Sequence, residues 1–316
     1  MLGIMILIAY LLDIWLGDPR WLPHPVVLIG KVIAFLEKKL RCICQSKKKL
    51  RAGGLFLFLT VVLGTYSLTW LLLWWAGRVS PVLSYILTVV LLYTTLSTKS
   101  LADAARQVAE PLLKGDMAEA RKYLGYIVGR DTDKLDEREI TRGVIETIAE
   151  NTVDGIVSPL FYAFIGGAPL AMAYKAVNTL DSMVGYKDEH YIDIGYVSAV
   201  FDDWANFIPA RITGIMLLLS SLILSFDAEN GWRIMRRDAR KHPSPNGGIP
   251  ESITAGALHI RLGGYNSYYG KMTFREYMGD ADEELNFNHI QKTVKLMRLT
   301  SFIALCTGFI FLFILT

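Results

Sequence analysis

The chain has 316 residues, with 33 Lys and Arg against 30 Asp and Glu, a net charge of +3. Apolar residues make up 52%, which argues against an ordinary soluble globular chain. The net charge decides little by itself; its distribution along the chain decides more.

Met1 to Leu16 is apolar but short and contains Asp13. It lacks a basic start and a small-residue cleavage site, so it reads as a retained membrane segment rather than a signal peptide. The segment 17–54 holds nine Lys or Arg, including Lys47, Lys48 and Lys49, against Asp18 and Glu37. The positive-inside tendency makes it a basic cytoplasmic loop. No aromatic interleaving or recognition module accompanies it, so no nucleic-acid partner is expected. Cys42, Cys44 and Cys306 show no zinc spacing and read as reduced thiols. Leu55 to Ala76 and Val79 to Thr98 are uncharged over 22 and 20 residues. A bilayer core takes about 20 apolar residues, so both are transmembrane helices.

The loop 99–155 reads as helical. One helix covers Leu101 to Leu113, a second is capped by Asp116 and runs towards Tyr126, and a third begins near Asp136 or Glu137 and ends about Asn151. Two apolar segments then follow with interruptions. Residues 156–174 contain Ser158-Pro159, Gly166-Gly167 and Pro169, and 205–226 contain Pro209 and Arg211. Broken helices at membrane depth need protein or water around the freed backbone groups. Arg211 either faces a cavity or partner, or snorkels from a helix end, and the two readings stand level. If both segments cross the membrane, 175–204 lies outside; if both are re-entrant, it lies inside. Unequal behaviour would put the Arg-rich start of 227–298 outside, against the positive-inside tendency. Leu299 to Thr316 is a further uncharged run. No β-hairpin, internal repeat or low-complexity segment is legible. The expectation is one all-α, polytopic integral membrane domain over 1–316, multi-pass in the cell membrane. It has interrupted membrane helices, helical cytoplasmic loops and the lipid bilayer as its surroundings.

Residues 142–159 read RGVIETIAENTVDGIVSP. On a helix Arg142, Glu146, Glu150 and Asp154 form one stripe at four-residue spacing. Like charges there cost only about 0.2–0.5 kcal/mol per pair, so a solvated face is the bland account. The stripe runs into a membrane segment, however, and three carboxylates beside Asn151 suit a hard cation or a substrate. Residues 175–187 read KAVNTLDSMVGYK, with Asn178, Asp181 and Ser182 on one face and Lys175 close by. Alone this is helix–helix hydrogen bonding; beside the acidic stripe it becomes half of a polar site. In FDDWAN, Asp202 and Asp203 can cap the next helix, which needs only one of them. Finally, 242–251 read HPSPNGGIPE. Pro250 fits the first turn of a helix, and the amides of Asn246, Gly247, Gly248 and Ile249 would precede it, an arrangement that suits an anion. A rigid loop entering a helix is the alternative. No P-loop, dinucleotide, zinc-protease or serine-hydrolase motif is present.

Five blocks occur in order: LGDPRWLPHPVVLIGKVI at 16–33, RGVIETIAENTVDGIVSPLFY at 142–162, KAVNTLDSMVGYK at 175–187, FDDWANFIPARITG at 201–214 and HPSPNGGIPES at 242–252. Together they resemble the adenosylcobinamide-phosphate synthase family of cobalamin biosynthesis, over nearly the whole chain. The resemblance implies an ATP-dependent amide ligase that joins adenosylcobyric acid to aminopropanol or its phosphate. It leaves open an association with later membrane enzymes of the pathway. The chemistry implied is activation of a carboxylate by ATP to an acyl phosphate, which the amine displaces. That needs Mg2+, cations on the phosphoryl group and a base. On residue chemistry, Glu146, Glu150, Asp154 and Asp181 are magnesium candidates. Asn246, Gly247 and Gly248 would cradle phosphate, with Asn178 and Ser182 also at the nucleotide. Lys175, Arg142 or Arg211 would offset phosphoryl charge, and Asp202 or Asp203 would hold or deprotonate the amine. The site is expected to open to the cytoplasm, where ATP is. A transporter and a noncatalytic regulatory relative remain as rivals; broken helices favour the first, but no inverted repeat is visible. A phospholipid-type phosphotransferase is disfavoured, because Ser158-Pro159 follow Asp154-Gly155 where that class needs D-G-x-x-A-R.

Overall fold

The computed structural model describes residues 1–19, 24–186 and 188–315. Arg20 to Pro23 of the first sequence block and Lys187 of the third lie outside the described residues.

The apolar start forms α1 (Leu2–Leu16), with Asp13 buried. The basic segment is mostly helix rather than open loop. His24 caps α2 (Pro25–Ile43) by accepting from the Val26 amide, and Ile29 and Ile33 make its buried face. Ser46 then caps α3 (Lys47–Val79), which carries the basic triplet into the first long apolar run. Proline at the first position starts α4 (Pro81–Tyr93), where its missing N–H costs nothing. The loop 99–155 is helical as its caps predict: α5 (Thr98–Leu113), α6 (Met117–Leu124) and α7 (Glu137–Thr152). Asp116 accepts from Glu119 N and Asp136 from Glu139 N, each cap contributing about 1 kcal/mol. A π-helical turn, Val153–Val157, follows, and α8 (Ser158–Val184) begins at Ser158-Pro159. Within α8 the helix breaks at Gly166-Gly167, where Gly167 has φ 63°, a conformation only glycine adopts cheaply. The second interrupted segment is α9 (Tyr196–Ala205) and α10 (Phe207–Ile223), parted at Asn206. Asp202 and Asp203 therefore lie in the last turns of α9 and do not cap a helix start.

The remainder is α11 (Ala228–Asp238), a 3-10 turn (Ala239–Lys241), α12 (Gly248–Ala257), a hairpin and α13 (Phe287–Leu315). The hairpin corrects the expectation of no strands. Strands β1 (Leu262–Tyr268) and β2 (Lys271–Met278) pair antiparallel with Tyr268 opposite Lys271. Tyr269 and Gly270 both take positive φ, 51° and 75°, so they form a two-residue turn matched to strand twist. A Tyr in place of the usual Asn or Asp hid this turn; the flanking alternation in YNSYYGKMTFREYM was the available signal.

Among the described residues four helical stretches are long and apolar enough to cross a membrane: Lys47–Val79, Pro81–Leu113, Glu137–Val184 and Phe287–Ile314. A fifth exists if α9 and α10 form one span. These apolar helices fit a multi-pass membrane protein. On α3, Trp70, Trp74 and Trp75 are exposed, with Arg78 over the Trp74 ring, as at a membrane–water interface.

The chain divides into two compact units. Unit 1 is 1–97, 158–206 and 308–316; unit 2 is 98–157 and 207–307. In unit 1, α8 packs against α1 to α4 and α9, with a core of Ile33, Leu57, Val61, Ala176 and Leu180. In unit 2, α12 is buried along its length from Pro250 to Ala257 and packs against α7, α10, α11 and the hairpin.

Candidate functional site

Unit 2 encloses a network of charged side chains. Glu146 on α7 is buried, and both of its oxygens are engaged. Arg130 Nη1 donates to Oε2 at 2.9 Å, while Arg142 Nη1 and the Gly263 amide donate to Oε1 at 3.0 Å. Arg142 also reaches the Glu139 carboxylate and the Tyr265 carbonyl, and both arginines donate to Asn266 Oδ1. The hairpin is held to this network from its turn: Asp131 accepts from the Tyr269 and Gly270 amides and from Ser267. Two magnesium and phosphoryl candidates from the sequence, Glu146 and Arg142, thus meet each other.

One turn further along α7, Glu150 is half-buried and stands differently. It makes no ion pair or hydrogen bond among the described residues. It lines a polar cavity of about 140 Å3 together with Arg130, Asn151, Tyr268 and Arg275. It also borders the HPSPNGGIPE segment: a Cβ placed on Gly247 would lie 3.5 Å from Glu150 Oε1. Such a Cβ would also meet His242 Cε1 at 2.8 Å, and one on Gly248 would meet the Ala239 carbonyl at 2.0 Å. The glycine pair lets the start of α12 lie directly against the 3-10 turn and His242. The amides of Asn246 and Gly247 face Ser244 Oγ at 3.2 and 3.4 Å, the second a long contact.

His242 and Glu251 are both buried, with His242 Nε2 and Glu251 Oε1 3.5 Å apart. His242 Nδ1 lies 3.0 Å from the Ser244 amide and 3.2 Å from the Ser244 carbonyl, and Nε2 faces the Glu251 carboxylate. Burial by itself pushes the imidazolium pKa down, but Glu251, with Glu150 beyond it, raises it overall. Burial raises the Glu251 pKa, and His242 offsets only part of that rise.

His242 also lines a larger cavity of about 900 Å3, with Arg211, Trp232, Arg236, Arg240 and Ile249. Arg211 is partnered: it donates to Asn246 Oδ1 at 2.7 Å and stacks over the Phe207 ring. The stiff HPSPNGG corner therefore stands between a small cavity and a large one.

Unit 1 holds the other candidates. Asp202 is buried and accepts from Asn206 Nδ2 at 3.0 Å and, at 3.5 Å, from Asn178 Nδ2. Asn206 is fixed by Ser158 and Tyr174, whose hydroxyls donate to its Oδ1 at 2.6 and 2.9 Å. Ser182 donates back to the Asn178 carbonyl of its own helix. Asp181, Lys175 and Asp203 are half-buried. Asp154 lies in the π-turn of unit 2.

Among the described residues no three His, Cys, Asp or Glu side chains come together as a metal-holding group. The sequence reading missed Arg130, Arg275, Tyr268, Asn266 and the His242–Glu251 pair as site residues. The hairpin delivers Asn266, Tyr268 and Arg275 from more than 100 positions away and α12 delivers Glu251, while Arg130 and His242 come from the connections before α7 and α12.

Residues 6–297 match the family described as "CobD/Cbib protein". The chain is 49% identical over 295 residues to "Cobalamin biosynthesis protein CobD" of Geobacter metallireducens, covering 93% of this chain and 92% of that one. It is 46% identical over 314 residues to the CobD protein of Halalkalibacterium halodurans, covering 98% and 97%. It is 47% identical over 301 residues to "Cobalamin biosynthesis protein CbiB" of Salmonella typhimurium, covering 94% and 93%. No solved structure matches the chain.

Proposed function

The chain belongs to the CobD/CbiB family of cobalamin biosynthesis proteins, and on that premise we propose that it is an ATP-dependent amide ligase. It joins adenosylcobyric acid to (R)-1-aminopropan-2-ol or its O-phosphate, giving adenosylcobinamide or its phosphate. One observation carries the reading beyond the family. Glu150 faces Arg275 across the small polar cavity without a hydrogen bond or close ion pair among the described residues, beside the Gly247 corner, whose prolines and His242 also line the arginine-lined cavity of about 900 Å3. The larger space has the size and charge for a nucleotide polyphosphate.

A carboxylate is a poor electrophile at neutral pH. In this reading ATP supplies a phosphoryl group to the carboxylate of adenosylcobyric acid. The C–O–P linkage formed makes phosphate the leaving group when the amine nitrogen attacks the carbonyl carbon. Arg211, Arg236 and Arg240 offset the phosphate charge. A phosphate oxygen takes the place of Ser244 Oγ at the Asn246 and Gly247 amides. Mg2+ travels on the nucleotide's phosphates; since the described carboxylates do not converge into a metal-holding group, no step is assigned to it. Lys175, Asn178, Asp181, Ser182, Asp202 and Asp203 form a second polar set in unit 1, for which a role at the corrin or amine is proposed.

The acyl-phosphate route is tested with adenosylcobyric acid labelled with oxygen-18 in its reacting carboxylate. The label should appear in inorganic phosphate as amide forms; amide without labelled phosphate would contradict the route. The site is placed on the cytoplasmic side, with ATP. Labelling of a Glu189→Cys variant in sealed vesicles of each orientation fixes the side of 175–204.

A further inference from the structure

In unit 1, α8 belongs to a stretch long and apolar enough to cross a membrane, yet its two arms fold back on each other. Gly166 and Gly167 leave helical geometry and divide it into 158–165 and 168–184. Tyr162 and Tyr174 lie on opposite sides of this break, and their rings stack with centroids 5.0 Å apart. A straight helix would separate positions 162 and 174 by about 18 Å. The Ser158 and Tyr174 hydroxyls meet on one atom, Asn206 Oδ1, at 2.6 and 2.9 Å. A straight helix would hold positions 158 and 174 about 24 Å apart. Asn206 is buried and its Nδ2 donates to Asp202, so one side chain ties both arms to α9. The first arm is only about 12 Å long, well short of the roughly 30 Å of a bilayer core. Protein covers the break, as hydrocarbon surroundings require. A Cβ on Gly167 would lie 3.7 Å from Leu2 of α1, and the Phe164 ring packs edge-on against Phe309 of α13.

The second arm ends beside the basic end of α3. Gly54 leaves no room for a Cβ against the Ile194 carbonyl, Arg51 Nε donates to Asp193 at 2.9 Å, and Arg41 of α2 lies over the Tyr191 ring. The connection 185–195 is thereby fixed to the end of α3 that carries Lys47, Lys48, Lys49 and Arg51; the other end carries only Arg78. From this packing we infer that 158–184 is a re-entrant helical hairpin. Its apex is Gly166-Gly167, Asn206 clamps its arms, and it enters and leaves the membrane on the cytoplasmic side, where the basic end of α3 lies. The connection 185–195 is cytoplasmic with it. Lys175, Asn178, Asp181 and Ser182 lie on the second arm between the clamp and that connection, so this polar set is reached from the cytoplasm without passage across the bilayer. The inference stands on the packing of unit 1 and is independent of the ligase reading.

The test places single cysteines in the full chain with Cys42, Cys44 and Cys306 replaced by Ser. Lys48→Cys, Arg78→Cys and Glu189→Cys all change exposed positions. Each is treated with a membrane-impermeant maleimide in sealed vesicles of both orientations. Position 189 should label from the same side as position 48 and from the side opposite to position 78. Labelling of 189 from the side of 78 would overturn the inference. So would labelling of 189 from neither side when the same protein labels in detergent. A second measurement reads the fold-back itself. A chain carrying Tyr162→Cys and Tyr174→Cys should be bridged internally by a bifunctional thiol reagent of about 8 Å reach, which cannot span the 18 Å or so of a straight helix. No bridge in a chain whose two thiols each react with the reagent would overturn the hairpin, whatever the sidedness of position 189.

Discussion

Arg130 Nη1 donates to Glu146 Oε2 at 2.9 Å, across 16 residues of chain, and both side chains are buried. Arg142 takes the other oxygen at 3.0 Å. Removing this carboxylate's charge leaves two buried guanidinium groups short of a partner. Glu146→Gln should cost about 3–5 kcal/mol. Glu150, one turn along, is half-buried and makes no hydrogen bond or close ion pair among the described residues, so Glu150→Gln should change stability by no more than about 1 kcal/mol. Thermal unfolding of the two variants in the same detergent compares them. Equal losses would show that the stripe behaves as one surface and not as a structural and a functional half.

His242 gives a pH dependence with a definite sign. Its folded pKa is raised because Glu251 outweighs the effect of burial. Its stabilising contribution is therefore complete below the unfolded value of about 6.5 and is lost as pH rises through the folded value. His242→Gln should destabilise the protein most at pH about 5.5–6.5, with the gap from wild type closing towards pH 9. A gap that widens with pH would show that Glu251 does not hold the imidazolium.

Asp238 acts in the opposite sense. Burial by itself would push its carboxyl up. Arg237, Lys241 and the Gly279 amide outweigh that and bring it to about 2. Its stabilisation is present above the unfolded value of about 3.9 and lost as pH falls towards about 2. Asp238→Asn should cost about 2 kcal/mol at neutral pH and remove that part of the acid limb. Acid unfolding curves of the two proteins that superimpose would contradict this.

The glycine pair separates packing from binding. An Ala at 248 places Cβ 2.0 Å from the Ala239 carbonyl, which is backbone and cannot swing aside. Gly248→Ala should cost about 3 kcal/mol. At 247 the obstacle is the His242 ring at 2.8 Å, which can turn, so Gly247→Ala should cost about 1 kcal/mol. Unfolding midpoints rank the two, and the reverse order would contradict the packing account.

Local signals were legible where one short segment determines its own structure. Asp116 and Asp136 announced their helices, and Gly166-Gly167 announced the break in α8. The four-residue spacing holds for Arg142, Glu146 and Glu150 on α7, whereas Asp154, the fourth of the expected stripe, falls beyond it in the π-helical turn, and spacing could not divide the labour of the three. That division depends on Arg130 and on the hairpin residues Asn266 and Arg275, which arrive from more than 100 positions away. Asp202 and Asp203 were misplaced as a helix cap because the start of α9 at Tyr196 carries no side-chain cap to mark it. Stiffness in HPSPNGGIPE was visible in its prolines; its place between two cavities required the fold of α11 and α12 around it.

The central claim is that this chain makes an amide at the expense of ATP, with Glu150 in the site. Purified protein in detergent is given adenosylcobyric acid, magnesium-ATP and aminopropanol phosphate, and the amide is sought by mass spectrometry. The account predicts product from wild type, none without ATP, and none from a Glu150→Gln variant that unfolds at the wild-type temperature. Normal turnover in that variant would remove Glu150 from the site. No product from folded wild type with either amine would contradict the ligase itself and favour a transporter or regulatory role.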